Sequence, residues 1–309
     1  MENRYAEMLE LARLHVPEGR LGKDDIYGQF PTNPIAVYLR GIKPELTADD
    51  IYSGSYWRLK YTAVADHYGY PAWVAALHNS IFSGLPTTEA LDWHVQIAET
   101  IAAFGESVDW GKALHRTHIG ILSIARQAIP SVQGDTTAHG DGAQCVTRVA
   151  ALHETALRGE TPDQREWDVA AEAALVQANL NDPRRGTIGR AGNQAAQAAH
   201  YSAKWSPGAM EALAYLAPVW TSEAATYAAM ASALLARHGV EWSHTLPFLE
   251  AEWHPGESVL PFVGSLLARE IARIEEYSAA EKTYEAALIT NYRKLRDLTL
   301  SAIRDTAAG

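Results

Sequence analysis

Apolar residues recur every three or four positions along most of the chain, which is the spacing of one face of an α-helix. Between Thr87 and Gly105, for example, Leu91, Ile97 and Ile101 fall on a single side. Alternation of β-branched and polar residues, the pattern of a half-buried strand, is nearly absent. The pattern predicts an all-α fold, a multi-helix bundle of antiparallel helices, because short connections place consecutive helices side by side.

Capping residues, prolines and glycines mark where the predicted helices begin and end. Asn33-Pro34 places a capping side chain before a proline, and Thr47 with Asp50 has the spacing of a capping box. Thr161 opens a second predicted capping box. The predicted spans are 4–14, 34–41, 71–84, 87–104, 108–129, 146–157 and 161–180, with further helices starting near 187, 206 and 221.

Alanine dominates residues 145–239, and its high helix propensity and small side chain predict closely packed helices there. A long amphipathic pattern over 260–303 predicts a C-terminal helix that either folds across the bundle or joins a second copy of the chain in a homo-oligomer. Gly, Asp and Thr without apolar periodicity predict a flexible loop over 131–143. The loop would separate an N-terminal helical region, 1–130, from a second one, 144–309, although one continuous domain stays open.

The formal net charge of the chain is -11 over 309 residues. Neutralising phosphates requires a basic face, so this charge argues against direct nucleic-acid binding. A basic protein partner is electrostatically favoured, and the acidic helix starts Asp24-Asp25 and Asp49-Asp50 are the candidate partner-binding residues. The alternative is that this acidic charge serves only solubility.

Cys145 is the only cysteine, which excludes an intramolecular disulfide and a thiolate zinc site of the finger type. The amino terminus lacks a basic segment followed by an apolar run, and no stretch reaches the roughly 18 apolar residues of a membrane span. We therefore expect a cytoplasmic protein without a membrane segment, and no motif calls for a cofactor.

The densest cluster of imidazole and carboxylate groups comprises His238, Glu241, His244, Glu250 and His254. Both groups bind zinc or iron, and the spacing of Glu241 and His244 brings them to one face of a helix. The order differs from the His-Glu-x-x-His of zinc proteases. A metal site and a set of solvent-facing residues are both open here.

A second arrangement would join His115 and His118, on one helix, to His153 and Glu154 across the core, as in di-iron bundles. Of the histidines and carboxylates considered, only Glu241 and His244 have the Glu-x-x-His spacing that such bundles use. The commoner alternative is a set of core histidines that hydrogen-bond to backbone or carboxylate groups.

Arg184, Arg185 and Arg190 lie at the start of a predicted helix, where backbone amides and guanidinium groups could hold an anion. No strand precedes them and no Gly-Lys-Ser/Thr follows, so a Walker loop is excluded. A solvated turn between helices is the alternative. A Gly-x-Ser-x-Gly nucleophile elbow is absent as well.

Two stretches carry a resemblance to known proteins: Tyr70-Pro71-Ala72-Trp73 leading to 81–86, and 149–171, which reads VAALHETALRGETPDQREWDVAA. They resemble a loose group of alanine-rich, all-helical proteins of bacteria and phages, including immunity-protein-like helical bundles. The resemblance implies a helical fold and supplies no catalytic residues.

Abundant helix signals and the scarcity of catalytic motifs lead to one functional expectation. We expect a non-enzymatic helical binding protein, encoded by a phage or mobile element, that binds a partner protein or sequesters a small ligand in a counter-defence or immunity-like role. The alternatives are a metal-dependent or acid–base enzyme that uses residues 238–254, and a structural or assembly component.

Overall fold

The computed structural model describes residues 4–22, 33–47, 50, 57–127, 129, 136–179, 186–204, 221, 224 and 259–307. Across these ranges the chain forms ten helices and no strand, which confirms the predicted all-α fold. Within the same ranges, none of the helices is both long and apolar enough to cross a membrane. The helices are α1 Arg4–His15, α2 Pro34–Ile42, α3 Trp57–Tyr68, α4 Ala72–Gly84, α5 Thr87–Phe104, α6 Trp110–Gln127, α7 Thr136–Leu157, α8 Gln164–Ala178, α9 Gly186–Ala203 and α10 Val259–Ala307.

Capping side chains fix two of the predicted helix starts. The Asn33 side chain accepts a hydrogen bond from the backbone N–H of Ala36 at 2.9 Å, as the Asn-Pro signal predicts. The capping box before α8 is formed by Asp163 and Glu166, so the prediction that Thr161 forms it is wrong. The carboxylate of Asp163 accepts from a backbone N–H at 3.0 Å, and the carboxylate of Glu166 accepts from the N–H of Asp163 at 3.1 Å.

A first hydrophobic core lies among α1 to α5 and the first half of α6. Helix α4 is its centre, because ten of its residues are buried and the run 72–78 is buried on every side. A helix without a polar face must be surrounded by other helices, and α4 packs against α2, α3, α5 and α10. Large side chains fill the space between α4 and its neighbours: Trp73 and Phe82 from α4 itself, Tyr38 from α2, and Trp93 and Ile97 from α5.

A second core lies among the later part of α6 and helices α7, α8 and α9. Small residues make up most of it, with Trp167 as its one large aromatic side chain in the described residues. Alanine and glycine allow the helix backbones to approach closely. At one such approach, a side-chain Cβ added to Gly142 of α7 would lie 2.9 Å from the backbone oxygen of Gly192 of α9.

The two cores share α6, which contributes Ala113, Leu114 and Ile121 to the first and Leu122 and Ala125 to the second. The change of core therefore falls inside a helix and not at the predicted loop. Helix α7 begins at Thr136, so residues 136–143 of that predicted loop are helical. Gly142 in this segment marks a close contact between two helices. Composition alone does not distinguish a glycine in that role from a glycine in a turn.

The long predicted C-terminal helix is present as α10, and its last half packs within the same chain. Tyr292 lies against Gly84 and Leu298 lies against Gly120, so in each case a glycine leaves room for a large side chain. At the surface, the guanidinium of Arg293 donates to the carboxylate of Glu89 at 2.8 Å. These contacts fasten α10 to α4, α5 and α6.

Replacing Gly142 with Ala is expected to destabilise the protein by roughly 1–3 kcal/mol, because the new methyl group meets backbone that cannot rotate away. Gly192→Ala is the matched control, since nothing lies within 4 Å of the Cβ position there. Removing a glycine from a helix then stabilises the fold, by up to about 1 kcal/mol. Urea unfolding measures the free energy of unfolding of both variants. A change of the same sign in both would contradict the close contact between Gly142 and Gly192.

Candidate functional site

Six buried histidines form two hydrogen-bonded rows, which are the most unusual chemical feature of the described residues. The first imidazole row consists of His15 at the end of α1, His94 on α5 and His78 on α4. Nδ1 of His15 lies 3.3 Å from Nε2 of His94, and Nδ1 of His94 lies 3.2 Å from Nε2 of His78. His94, fully buried, therefore uses both ring nitrogens and links three helices.

Aromatic side chains enclose the first imidazole row. The indole N–H of Trp93 donates to the backbone oxygen of His78 at 3.0 Å, and the two rings meet edge to face with centroids 5.8 Å apart. The ring of Tyr38 lies 5.2 Å from that of His94, centroid to centroid. These contacts hold the imidazoles in place and exclude water from them.

The second imidazole row joins α6, α7 and α9 through His115, His153, Ser202 and His118. Nδ1 of His115 lies 2.9 Å from Nδ1 of His153. Nε2 of His153 lies 3.0 Å from Oγ of Ser202, which in turn lies 2.8 Å from Nδ1 of His118. The rings of His118 and His153 are also stacked, with centroids 4.8 Å apart.

The backbone oxygen of Ser202 sets the direction of these hydrogen bonds. It lies 3.2 Å from Nε2 of His153, and since a carbonyl can only accept, this nitrogen carries the hydrogen. The Nδ1 of His153 then accepts from Nδ1–H of His115, because a neutral imidazole has a single N–H. The Ser202 hydroxyl accepts from Nε2–H of His153, and either group can donate in its contact with Nδ1 of His118.

Burial keeps the imidazoles neutral at pH 7, because a charged ring loses its hydration. Neighbouring imidazoles add to the effect for His94 and His153, while Asp109 opposes it for His115, whose pKa is still lowered. The pKa falls to about 4 for His15, to about 3 for His78 and His118, and well below its usual value for His94 and His153.

One histidine of each row, His78 and His153, lies at the same position of a short sequence repeat. Val-Ala-Ala-Leu-His occurs at 74–78 in α4 and again at 149–153 in α7. Each copy is followed by a glycine, Gly84 or Gly159, and then by a tryptophan on the next helix, Trp93 or Trp167. Each tryptophan meets the histidine of its own copy, with centroids 5.8 Å apart in the first and 4.8 Å apart in the second.

The predicted meeting of His115 and His118 with His153 is confirmed. Glu154, however, is exposed, so the di-iron interpretation of this group is wrong and that of bonded core histidines is supported. The first imidazole row was not predicted from the sequence. The sequence does hold a signal for buried histidines: the dipeptide Leu-His occurs only at 14–15, 77–78, 114–115 and 152–153, and all four of these histidines belong to the two rows.

The other candidate residues lie mostly outside the described residues. This applies to His238, Glu241, His244, Glu250 and His254, to Arg184 and Arg185, to Asp24, Asp25 and Asp49, and to the side chain of Arg190. Asp50 is exposed, and its backbone N–H donates to the hydroxyl of Thr47 at 3.2 Å, one half of the predicted capping box. Its carboxylate accepts from that hydroxyl at 2.6 Å and, as the other half of the box, from the backbone N–H of Thr47 at 2.9 Å. Those hydrogen bonds hold the pKa of Asp50 below its usual value.

Comparison of the chain with protein-family models, with curated proteins and with solved structures finds no match. The resemblance to immunity-protein-like bundles therefore stays a prediction. In the part of the chain that the structure describes, no three His, Cys, Asp or Glu side chains are grouped so as to hold a metal ion.

Ser202→Ala is expected to destabilise the fold by roughly 1–3 kcal/mol, because it leaves buried nitrogens of His118 and His153 without their hydroxyl partner. Ser83→Ala is the control: that exposed hydroxyl bonds only to the carbonyl of Asn79 in its own helix, and its loss should change stability by less than about 0.5 kcal/mol. Chemical denaturation compares the two, and equal effects would show that the second row adds no stability.

The direction of the hydrogen bonds made by His153 predicts the tautomers of His153 and His115. Nitrogen-15 NMR at pH 7 should find His153 protonated on Nε2 and His115 protonated on Nδ1, both in neutral rings. The opposite assignment for His153 would mean that the Ser202 carbonyl does not receive its hydrogen.

Proposed function

We propose that this protein is a non-enzymatic helical binding protein that acts by engaging a basic partner protein. The observation that carries the proposal is the placement of its reactive side chains. Ser202 and His153 are completely buried and bond to each other, so a substrate cannot reach them in this conformation. Exposed helix faces are then the surfaces through which the described part of the chain meets other molecules.

Helix α8 offers the best face for such contact. Val169 and Val176 are 43% and 61% exposed, and Ala173 lies between them on the same side. Exposed Glu166 and Glu172 flank this apolar stripe. Apolar contact surrounded by charge is the usual make-up of a protein interface.

The acidic charge favours a basic partner. Opposite charge speeds association, and the net charge of -11 acts over the whole surface. We extend the proposal to an immunity-like or counter-defence role for a phage or mobile-element product, on the resemblance of residues 149–171, which include the start of α8. Sequestration of a small ligand has no comparable support from the described side chains.

A photo-crosslinking amino acid at position 176 tests the proposal, with the same amino acid at position 14 as the control. Leu14 is also exposed, at 50%, but lies on α1. In a lysate of the organism that encodes the protein, position 176 should give a discrete crosslinked product and position 14 should not. Raising the salt from 0.1 to 1 M should weaken the product, since the screening length falls from about 10 to about 3 Å.

Glu172→Lys should reduce the crosslink at position 176 without altering the circular dichroism spectrum. Equal crosslinking at both positions, or a yield unaffected by salt and by Glu172→Lys, would contradict binding of a basic partner at α8.

A further inference from the structure

The two imidazole rows have a limited capacity for protons, set by how their nitrogens face one another. In the first row, His15 faces His94 and His94 faces His78, and each such bridge has room for one hydrogen. Three neutral imidazoles carry three hydrogens, of which two fill the bridges and one occupies an outer nitrogen. One more proton fills the last outer nitrogen, and a second extra proton must place two N–H groups against each other.

The pair His115 and His153 in the second row has the same limit. Its one bridge, 2.9 Å between the two Nδ1 atoms, has room for one hydrogen, and Nε2 of each ring holds one more. Two neutral imidazoles carry two hydrogens, so one extra proton fills the pair and a second places two N–H groups against each other. His118 takes up a proton separately, because the Ser202 hydroxyl can accept from both neighbouring rings by turning its own hydrogen away.

We propose that each set of directly facing imidazoles, His15–His94–His78 and His115–His153, is a proton-operated latch, which holds its helices together while it binds at most one extra proton and releases them when it binds two. Release would separate α1, α4 and α5 at the first row and α6 and α7 at the second. Mild acid would therefore open both cores.

The groups around the rows favour this behaviour. Tyr38 and Tyr68 stay neutral beside the first row, because burial raises the pKa of both, and Arg20 opposes protonation of His15. Among the described residues, Asp109 favours protonation of His115, which lies at the edge of the second row. His200, which bonds to the backbone oxygen of Ala171, also has a lowered pKa, from burial and Lys204.

The direction of the pH effect follows from the proton balance of folding. The six histidines have pKa values near 6.5 when unfolded and lower ones when folded, so the unfolded chain binds more protons. Stability is complete above about pH 6.5 and is lost as the pH falls from there toward about 3 to 4. Most carboxylates titrate below pH 5, so the interval from pH 6.5 to 5 isolates the imidazoles.

Urea unfolding of the full chain between pH 7.5 and 5 tests the proposal. Near pH 5.5 the six histidines of the unfolded chain bind about five protons, at least two more than a folded chain limited to three, so the unfolding constant should rise about a hundredfold or more for each unit by which the pH falls. His115→Gln and His15→Gln should each reduce the slope by about one proton. His67→Gln is the matched control, because His67 belongs to neither row and its side chain is 37% exposed.

A tenfold or smaller change per pH unit in the wild-type protein would overturn the proposal, even if the row variants fail to fold. A steep slope that His67→Gln reduces as much as the row variants do would overturn it too. Amide hydrogen exchange at pH 5.5 provides the local readout: exchange should accelerate in the peptides that contain His94 and His153, and unchanged protection there would rule out release.

Discussion

Hydrogen bonds between neutral imidazoles give this fold its specificity. Alanine surfaces are small and similar at every turn, so they permit many ways of sliding or rotating one helix against another. A ring nitrogen that must face another ring nitrogen permits few such movements. Because buried polar groups are costly without partners, the rows favour one alignment of α1, α4 and α5 and one of α6, α7 and α9. His94 and His153, at the middle of each row, carry most of this constraint.

Close backbone approach is the condition that makes the rows possible. Gly142 opposite Gly192 brings α7 to α9, and Ser202 lies ten residues further along α9, where it meets His153. A bulky residue at Gly142 would move the helices apart and lengthen those hydrogen bonds. The small residues and the imidazoles therefore act together: the former set the distance between helices, and the latter set their register.

Local signals along the sequence were enough to predict most of the described helices, although no span was predicted for α3. Periodicity and caps such as Asn33 act within a few residues of the chain, and so they can be interpreted without knowing the fold. The assignment of 136–143 to a loop differs from the structure, where these residues are helical and Gly142 serves a distant partner. Gly142 lies opposite a residue fifty positions away, and no local pattern reports that distance.

The histidine rows show the same limit. His115, His118 and His153 were grouped correctly because two of them lie on one helix face and the third follows in the next predicted helix. His15, His78 and His94 come from three helices, and His15 is separated from the others by more than sixty residues. Their meeting depends on the packing of α1 against α5, which the pattern along α1 does not specify.

Helix α6 belongs to both cores, and this has a consequence for how the protein responds as a whole. Ile121 and Leu122 are neighbours in sequence, yet they lie in different cores. Neither core can lose this helix without exposing apolar surface of the other, so their stabilities are thermodynamically linked. Any molecule that binds to α8 and stabilises the second core thereby also stabilises the first core around α4, which it does not touch.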